Sequence, residues 1–100
     1  MYLLISTNGQ ISLEESDNMR AFSIVEEDHG LAAKHLPAIG EPAGEQHYWL
    51  DADAVIELSG RADDQGWVED FWGMLAKAEP YGYSNIEERL IKAHVEQPQN

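Results

Sequence analysis

Cysteine is absent from this 100-residue chain, and its absence removes several kinds of chemistry at once. Without thiols the chain forms no disulfide, no thiolate zinc site and no cysteine nucleophile. A domain of this size without disulfides must then be held together mainly by packing. Such a domain suits a reducing compartment, and we therefore expect a cytoplasmic protein.

Basic residues are also scarce. Six lysines and arginines oppose 19 aspartates and glutamates, so the formal net charge is −13 at pH 7. A surface of this sign repels nucleic acid, which carries about one negative charge per 1.7 Å of duplex, and it repels anionic membranes. It attracts basic protein surfaces and speeds their association. We therefore expect a basic protein surface as partner, with no direct binding to nucleic acid or membrane.

Long hydrophobic runs are missing as well. The opening MYLLISTNGQ lacks a basic leader, and its apolar run stops at Ser6. This pattern is not typical of a signal peptide. Nothing in the chain approaches the roughly 20 apolar residues that a membrane span requires. The sequence therefore predicts a soluble protein.

Three stretches in the first half of the chain predict β-strands. Residues 2–15 predict a hairpin around Asn8-Gly9, since both positions of a two-residue turn need a positive φ. That loop would pair Thr7 with Gln10 and place Leu4 opposite Leu13. The alternating residues 19–28 predict a third strand, and residues 47–50 predict a short fourth one after a loop over 40–46.

Helical signals occupy three other stretches. Residues 31–36 predict a short helix that Pro37 stops. Residues 51–60 predict a helix with Asp51 or Asp53 at its start and Gly60 at its end. Residues 65–78 predict the longest helix, because large apolar side chains recur there at spacings of three and four on one face: Trp67, Phe71, Met74, Leu75 and Ala78.

The last segment fits two structures. Ser84 to Glu87 has the spacing of a capping box, which favours a helix over residues 85–96. Residues 89–96 also alternate in the manner of a strand, and we favour a strand that joins the sheet. The predicted fold is therefore α+β, with one domain over residues 1–96 and a frayed tail over 97–100. About four or five antiparallel strands, beginning with the N-terminal hairpin, would be covered by two or three helices.

Catalytic and metal-binding patterns are weak. The stretch ELSGR (57–61) departs from a nucleophile elbow at both glycine positions. The stretch DADAV (51–55) resembles the start of a calcium loop, but Val55 replaces an oxygen ligand. The four histidines lack helical metal-ligand spacing, although His47 and His94 would meet if their strands were neighbours. We predict no catalytic residue, no metal and no cofactor.

The aromatic residues between 66 and 85 look first like core. A stacking platform for nucleic acid needs a basic groove, whereas the neighbours here are acidic. Trp67 and Phe71 are therefore predicted to pack against the sheet. Trp72 at the edge of the apolar face, and Tyr81 and Tyr83 after the helix, are the aromatics most available to a partner.

Acidic residues form two dense runs. Residues 51–70 hold seven acids and one base, a net charge of −6, and residues 14–28 hold six acids and one base, a net charge of −5. Asp53 and Glu57 would lie roughly 6 Å apart on one helix, a spacing comparable to that of neighbouring phosphates. The leading hypothesis is thus a small non-enzymatic interaction protein, a nucleic-acid mimic of the kind that phages use against defence systems. Its predicted contacts are Asp51, Asp53, Glu57, Asp63, Asp64, Trp72 and Tyr81.

Three alternatives stay open at this point. The acids could serve only to keep the protein in solution. A second alternative is a small-molecule-binding or enzymatic domain. Its pocket would lie between the sheet and the helix at 65–78, with His47 or His94 as its polar group. A third is a self-associating subunit, although like-charged surfaces repel each other, and the oligomeric state is not predicted.

Overall fold

Three α-helices lie within residues 1–97, the part of the chain that the computed structural model describes. They are α1 (Leu31–His35), α2 (Ala52–Ser59) and α3 (Gln65–Ala78). Single turns of 3₁₀ helix follow the first and the third, at Leu36–Ala38 and Glu79–Tyr81. All three predicted helices are confirmed within a residue or two of their predicted ends.

The ends of α2 show why the sequence predicted it well. The Asp51 carboxylate accepts a hydrogen bond of 2.9 Å from the Asp53 amide and a longer one from the Ala54 amide. These amides have no partner inside the helix, so the side chain satisfies them. The helix ends at Gly60, whose φ of 71° is left-handed and costs glycine little.

Seven strands form one mixed sheet within the same residues. The strands are β1 (Tyr2–Ile5), β2 (Ile11–Glu14), β3 (Ser23–Glu26), β4 (Gly40–Pro42), β5 (His47–Asp51), β6 (Ser84–Asn85) and β7 (Leu90–Glu96). Their order is β2-β1-β3-β7-β5-β4, and β6 pairs with β7 as well. The strand preferred for the last segment is thus confirmed, and β4 and β6 are additions to the predicted set.

The prediction of an antiparallel sheet is wrong at the centre. β3 runs parallel to both β1 and β7, while the other pairs are antiparallel. The chain leaves β2 and passes the start of β1, where the Ser23 amide donates to the Met1 carbonyl. β3 therefore joins the free edge of β1 and not that of β2. Apolar alternation fixes which face of a strand is buried, but it does not fix which edge the strand joins.

The hairpin forms with a register one residue away from the predicted one. Leu3 lies opposite Leu13, and Ile5 lies opposite Ile11. The Gly9 amide donates to the Ser6 carbonyl, and the Ser6 amide donates to the Gln10 carbonyl, so the loop has three residues. Gly9, with φ of 85°, supplies the left-handed position of such a loop. The slip places Leu3, Ile5, Ile11 and Leu13 on one face, so that Leu13 lies opposite Leu3 and not opposite Leu4.

The short strand β4 was predicted as a loop. It pairs with β5 over three residues, and Gly40 lies opposite Leu50. A Cβ atom at Gly40 would stand 2.2 Å from the Trp49 carbonyl oxygen, so the close approach of the two backbones requires glycine. A strand of three residues with a proline at its end carries almost no sequence signal.

The core lies between the helices and one face of the sheet. Leu3, Ile24, Leu50 and Ile91 point from that face, and Phe71 and Leu75 of α3 are fully buried against the same cluster. The opposite face bears Tyr2, Leu4, Val25 and Trp49, which are half-buried. Within residues 1–97 the chain is one α+β domain with helices on one side of the sheet.

The C-terminal end is described as far as Gln97. Its side-chain amide donates a 2.6 Å hydrogen bond to the Glu26 carboxylate. Residues 98–100 of the predicted tail lie outside the described residues. No helix in the described part of the chain is long and apolar enough to cross a membrane.

Candidate functional site

The predicted acids of α2 lie along its exposed side, but they differ in what they do. Asp51 caps the helix, as described above. The Asp53 carboxylate accepts two hydrogen bonds of 2.6 Å from the Arg89 guanidinium. Glu57 is exposed, and its carboxylate makes no hydrogen bond or ion pair within residues 1–97. Of these three acids, Glu57 is the one whose charge is not used inside the molecule.

Arg89 changes the charge of the surface that the sequence predicted. It lies 36 positions from Asp53 in the chain, yet it forms a two-pronged ion pair with that residue. Its guanidinium also lies 4.5 Å from the centre of the Trp72 ring, a cation–π contact. The bonds from Arg89 hold the pKa of Asp53 below its usual value. Arg89 therefore offsets the charge of Asp53, although it lies outside the acidic stretch 51–70 in the sequence.

The junction between α2 and α3 brings the two acidic runs together. The Arg61 guanidinium bonds to Asp17 from the first run and, at 3.0 Å, to Asp64 from the second. The indole nitrogen of Trp67 donates a 2.7 Å hydrogen bond to the Ser16 carbonyl, which fixes the same loop against α3. Tertiary structure thus joins segments more than 40 residues apart into one acidic region.

Asp64 and Asp63 have different environments in this region. The Asp64 carboxylate accepts a 3.1 Å hydrogen bond from the Trp67 amide and so caps α3. That bond, followed by the bond from Arg61, lowers the pKa of Asp64. Asp63 is exposed, and its carboxylate has no partner in the described part of the chain. We call Asp17, Glu57, Asp63 and Asp64 the acidic region.

The two predicted aromatic anchors lie in separate places. Trp72 is half-buried, packs edge-on against Phe71, and is covered by Arg89. Tyr81 is 79% exposed and follows the last turn of α3. Because α3 spans 14 residues at 1.5 Å each, its two ends are about 20 Å apart. Tyr81 and the acidic region therefore do not form one continuous patch.

His47 and His94 do meet, but not beside α3. They lie opposite each other in the β5–β7 ladder, with ring centroids 5.8 Å apart. Their neighbours Tyr48 and Ala93 point to the core, so both imidazoles point to the other face of the sheet. Within residues 1–97 no group of three or more histidine, aspartate or glutamate side chains has the arrangement of a metal site.

A smaller cavity lies near α1. It has a volume of about 160 Å³ and is lined by Glu26, His29 and Tyr48 among others. The Glu26 carboxylate is buried and accepts hydrogen bonds from the Ala32 amide, the Gly30 amide and Gln97. Since its oxygens are satisfied by the protein itself, this carboxylate has a structural role in positioning α1.

A larger cleft opens between the sheet and the second half of α3. Its volume is about 660 Å³, and its apolar walls include Phe22, Met74 and Ile91. Three of the six basic residues of the chain also line it, namely Arg20, Lys77 and Lys92, whereas no acid does. We call this site the cationic cleft.

The cationic cleft exists because two strands share one edge of β7 without meeting. β6 pairs with Leu90 and Ile91, and β3 pairs with Val95. Neither ladder reaches Ala93 and His94 on that edge, so the segments leading into the two strands diverge. Those segments, residues 19–22 and 81–83, form the rims of the cleft.

Sequence reasoning placed a pocket between the sheet and α3 but chose the wrong polar groups. Neither His47 nor His94 lines the cationic cleft or the smaller cavity. The three basic residues lie at positions 20, 77 and 92, too far apart in sequence to suggest a common site. The only local signal is Lys77, which follows Met74 by three residues at the end of the apolar face of α3.

Comparisons with protein-family models, with curated proteins and with solved structures find no match to this chain. The class that its structure defines is a single α+β domain with a mixed sheet, and its chemistry must be inferred from its own residues.

Proposed function

We propose that the protein is a small, non-enzymatic interaction module that presents its acidic region to a basic surface of a partner protein. On this proposal the partner is a cytoplasmic protein that handles nucleic acid. The carboxylates occupy the positions of phosphates, so the effect is competitive inhibition. The observation that supports the proposal is the separation of charge along α3, with acids at its N-terminal end and free bases at its C-terminal end.

This separation matters because of distance. Lys77, the one base of the cationic cleft that belongs to α3, lies about 20 Å along the helix from Asp64. The Debye length is about 8 Å at physiological ionic strength, so Lys77 screens Asp64 only slightly. Arg61 is bound to Asp17 and Asp64, and it offsets one of the four charges that define the region. A net negative field therefore remains to steer a basic partner.

The test uses the carboxylates that neither cap a helix nor pair with an arginine. Asp51, Asp53 and Asp64 cap helices or pair with arginines, so reversing their charge would damage the fold and would confuse the result. Glu57 and Asp63 are exposed and have no such bond in the described residues. Changing these two to lysine alters the net charge by four units and leaves the caps in place.

The experiment compares two double variants of equal charge change. Glu57→Lys with Asp63→Lys alters the acidic region, whereas Asp28→Lys with Glu45→Lys alters exposed acids at the opposite end of the sheet. Partners are captured from a nuclease-treated lysate of the source cells. We expect a nucleic-acid-handling protein that duplex DNA or RNA displaces, and we expect only the first variant to lose it by at least about tenfold in affinity.

Two results would contradict the proposal. Equal loss of the partner with both double variants would mean that net charge alone, and not this region, mediates the interaction. Recovery of only a salt-labile mixture of basic proteins would mean that the acids serve mainly to keep the protein dispersed. The alternative of a pocket served by His47 or His94 has less support, since both side chains point away from α3.

A further inference from the structure

The cationic cleft has apolar walls and a volume large enough to hold a small molecule. Its walls are apolar side chains from α3, β7 and the segment before β3, including Phe22, Met74 and Ile91. Its volume of about 660 Å³ falls within the range of roughly 300–1,000 Å³ found for small-molecule sites. A cleft of this kind suits a ligand with an apolar body.

The charge of the cleft opposes that of the whole molecule. The chain has a net charge of −13, yet the cleft gathers Arg20, Lys77 and Lys92 and excludes every acid from its lining. The other two arginines are held in ion pairs by Asp17, Asp53 and Asp64. In contrast, none of the three bases of the cleft forms an ion pair within residues 1–97. The charges of Arg20 and Lys77 are available to a ligand, whereas the Lys92 ammonium lies near the Trp49 ring on the other face of the sheet.

From these observations we propose that the cationic cleft binds a small amphipathic organic anion, with an apolar body and one acidic head group such as a carboxylate. The apolar body lies against Phe22, Met74 and Ile91, and the head group meets Arg20 and Lys77 at the rim. This site is separate from the acidic region, and the inference does not rest on the proposed function.

Several side chains suit a ligand that enters and leaves. Met19 and Met74 are flexible and polarizable, so they adapt to the shape of an apolar body. Tyr81 and Tyr83, which are 79% and 50% exposed, lie at the rim, where their rings extend the apolar wall and their hydroxyls stay in water. Lys92 also lies 5.7 Å from the Trp49 ring on the other face of the sheet, so we expect it to contribute less than Lys77.

The first experiment compares dodecanoate with dodecyltrimethylammonium by calorimetry, both below their micelle concentrations. The two probes have the same chain length and opposite charge. Non-specific association with a protein of charge −13 favours the cation. The proposal predicts the reverse order, with one dodecanoate per chain and at least about tenfold tighter binding than the cationic probe. Equal binding, preference for the cation or no binding of dodecanoate would overturn the proposal.

Matched variants test which bases are responsible. Lys77→Gln and Arg20→Gln should each weaken dodecanoate binding by about threefold to tenfold. Lys34→Gln removes the same charge from an exposed position on α1 outside the cleft and should leave the affinity unchanged. An equal loss with Lys34→Gln would show that the probe senses only the overall charge, which contradicts the proposal.

The three methionines report where the probe binds. Met19 and Met74 line the cleft, whereas Met1 is buried in the core near β1. Methyl resonances of a ¹³C-methyl-methionine sample should shift for Met19 and Met74 on addition of dodecanoate, and the Met1 resonance should not. A shift at Met1 alone, or at all three together with loss of native dispersion, would overturn the assignment.

Self-association is the remaining alternative for the cleft. If a second copy of the chain covers it, sedimentation will show a concentration-dependent dimer that Lys77→Gln weakens, and dodecanoate will not bind at one per chain. That result would overturn the proposal. The acidic variant Glu57→Lys with Asp63→Lys should keep its dodecanoate affinity within about twofold, since neither altered residue lines the cleft. A negative result for the cationic cleft can therefore be told apart from a negative result for the acidic region.

Discussion

The two ends of α3 carry opposite charges and use them differently. At the N-terminal end, acids from two distant parts of the chain meet, and the nearby arginines are bound to them. At the C-terminal end, three bases line an apolar cleft and make no ion pair in the described residues. The comparison teaches that the net charge of −13 does not describe either surface. Charge that is already paired supports the fold, and charge left unpaired is available for binding.

The orientation of these charges also agrees with the helix dipole. Asp64 caps the start of α3, where partial positive charge accumulates, and Lys77 lies in its last turn, where partial negative charge accumulates. The arrangement that separates the two surfaces therefore also stabilises the helix between them.

The largest expected effect comes from removing the Phe71 side chain, which packs between the acidic and the basic end of α3. Phe71 is fully buried in the middle of α3 and stacks on Trp67 at a centroid distance of 5.3 Å. Phe71→Ala should reduce the free energy of unfolding by about 3–5 kcal/mol, because the cavity it leaves cannot close. Urea unfolding measures this value. Exposed Glu69→Ala should change it by less than about 0.5 kcal/mol. A loss below about 1 kcal/mol for Phe71→Ala would contradict the tight packing of α3 against the sheet.

A smaller effect should separate structural acids from those free to bind. Asp51→Ala removes the cap of α2 and should cost about 1 kcal/mol in urea unfolding. Asp51→Asn keeps an oxygen that caps equally well, so its stability should match that of the native protein. If the asparagine variant loses as much as the alanine variant, the charge of Asp51 and not its hydrogen bond is what stabilises the helix.

The acidic end should also give the protein a pH dependence. The pKa values of Asp53 and Asp64 are lowered in the folded protein by hydrogen bonds and by Arg89 and Arg61. A lowered folded pKa stabilises the fold above the unfolded pKa of about 3.9, and this stability is lost as pH falls through the folded values. The midpoint temperature of thermal unfolding should therefore decrease as the pH is lowered below about 5.

Paired variants identify the carboxylates responsible. Asp53→Asn with Asp64→Asn should lower the unfolding midpoint at pH 7 and make its fall between pH 5 and 2 shallower. Glu57→Gln with Asp63→Asn changes acids without internal partners, so its pH profile should follow that of the native protein. A shallower fall with this second pair would contradict the division into paired and unpaired acids.

The smallest expected effect lies at Arg89. Arg89→Lys keeps the charge but loses the two-pronged bond to Asp53 and the flat contact with Trp72. Stability should change only slightly, since the pair is exposed. Acrylamide should quench tryptophan fluorescence more strongly in this variant, because Trp72 loses its cover, whereas Arg20→Lys should leave quenching unchanged. Equal quenching in all three proteins would show that Arg89 does not shield Trp72.

Local sequence signals predicted the helices correctly. They did not predict the strand directions and the hairpin register of the sheet, or the residues of the cationic cleft. Asp51 and Gly60 fix the ends of α2 through bonds within a few residues, so a single sequence reveals them. The parallel position of β3 depends on which edge of β1 is free, and the register of the hairpin depends on a loop of three residues where two were expected. Those outcomes depend on packing between distant segments, which alternation along one strand does not encode.

For the candidate site, too, the sequence predicted some features and missed others. The sequence identified Glu57 and Asp63 as acids on an exposed helix and loop, and both are exposed. It did not anticipate that Arg89 would pair with Asp53, or that Asp17 would reach Arg61. It also missed the cationic cleft, because Arg20, Lys77 and Lys92 come together only when the segments before β3 and β6 diverge along β7.

The sequence alone indicated the class of the fold, the span of each helix, the cap of α2 and the excess of negative charge. These properties follow from composition and from interactions within a few residues. Only the tertiary structure decided the order and direction of the strands, which charges are paired, and where the remaining bases gather. The physical reason is that an ion pair or a cleft requires side chains from separate segments within a few ångströms, and packing of the whole chain sets those distances.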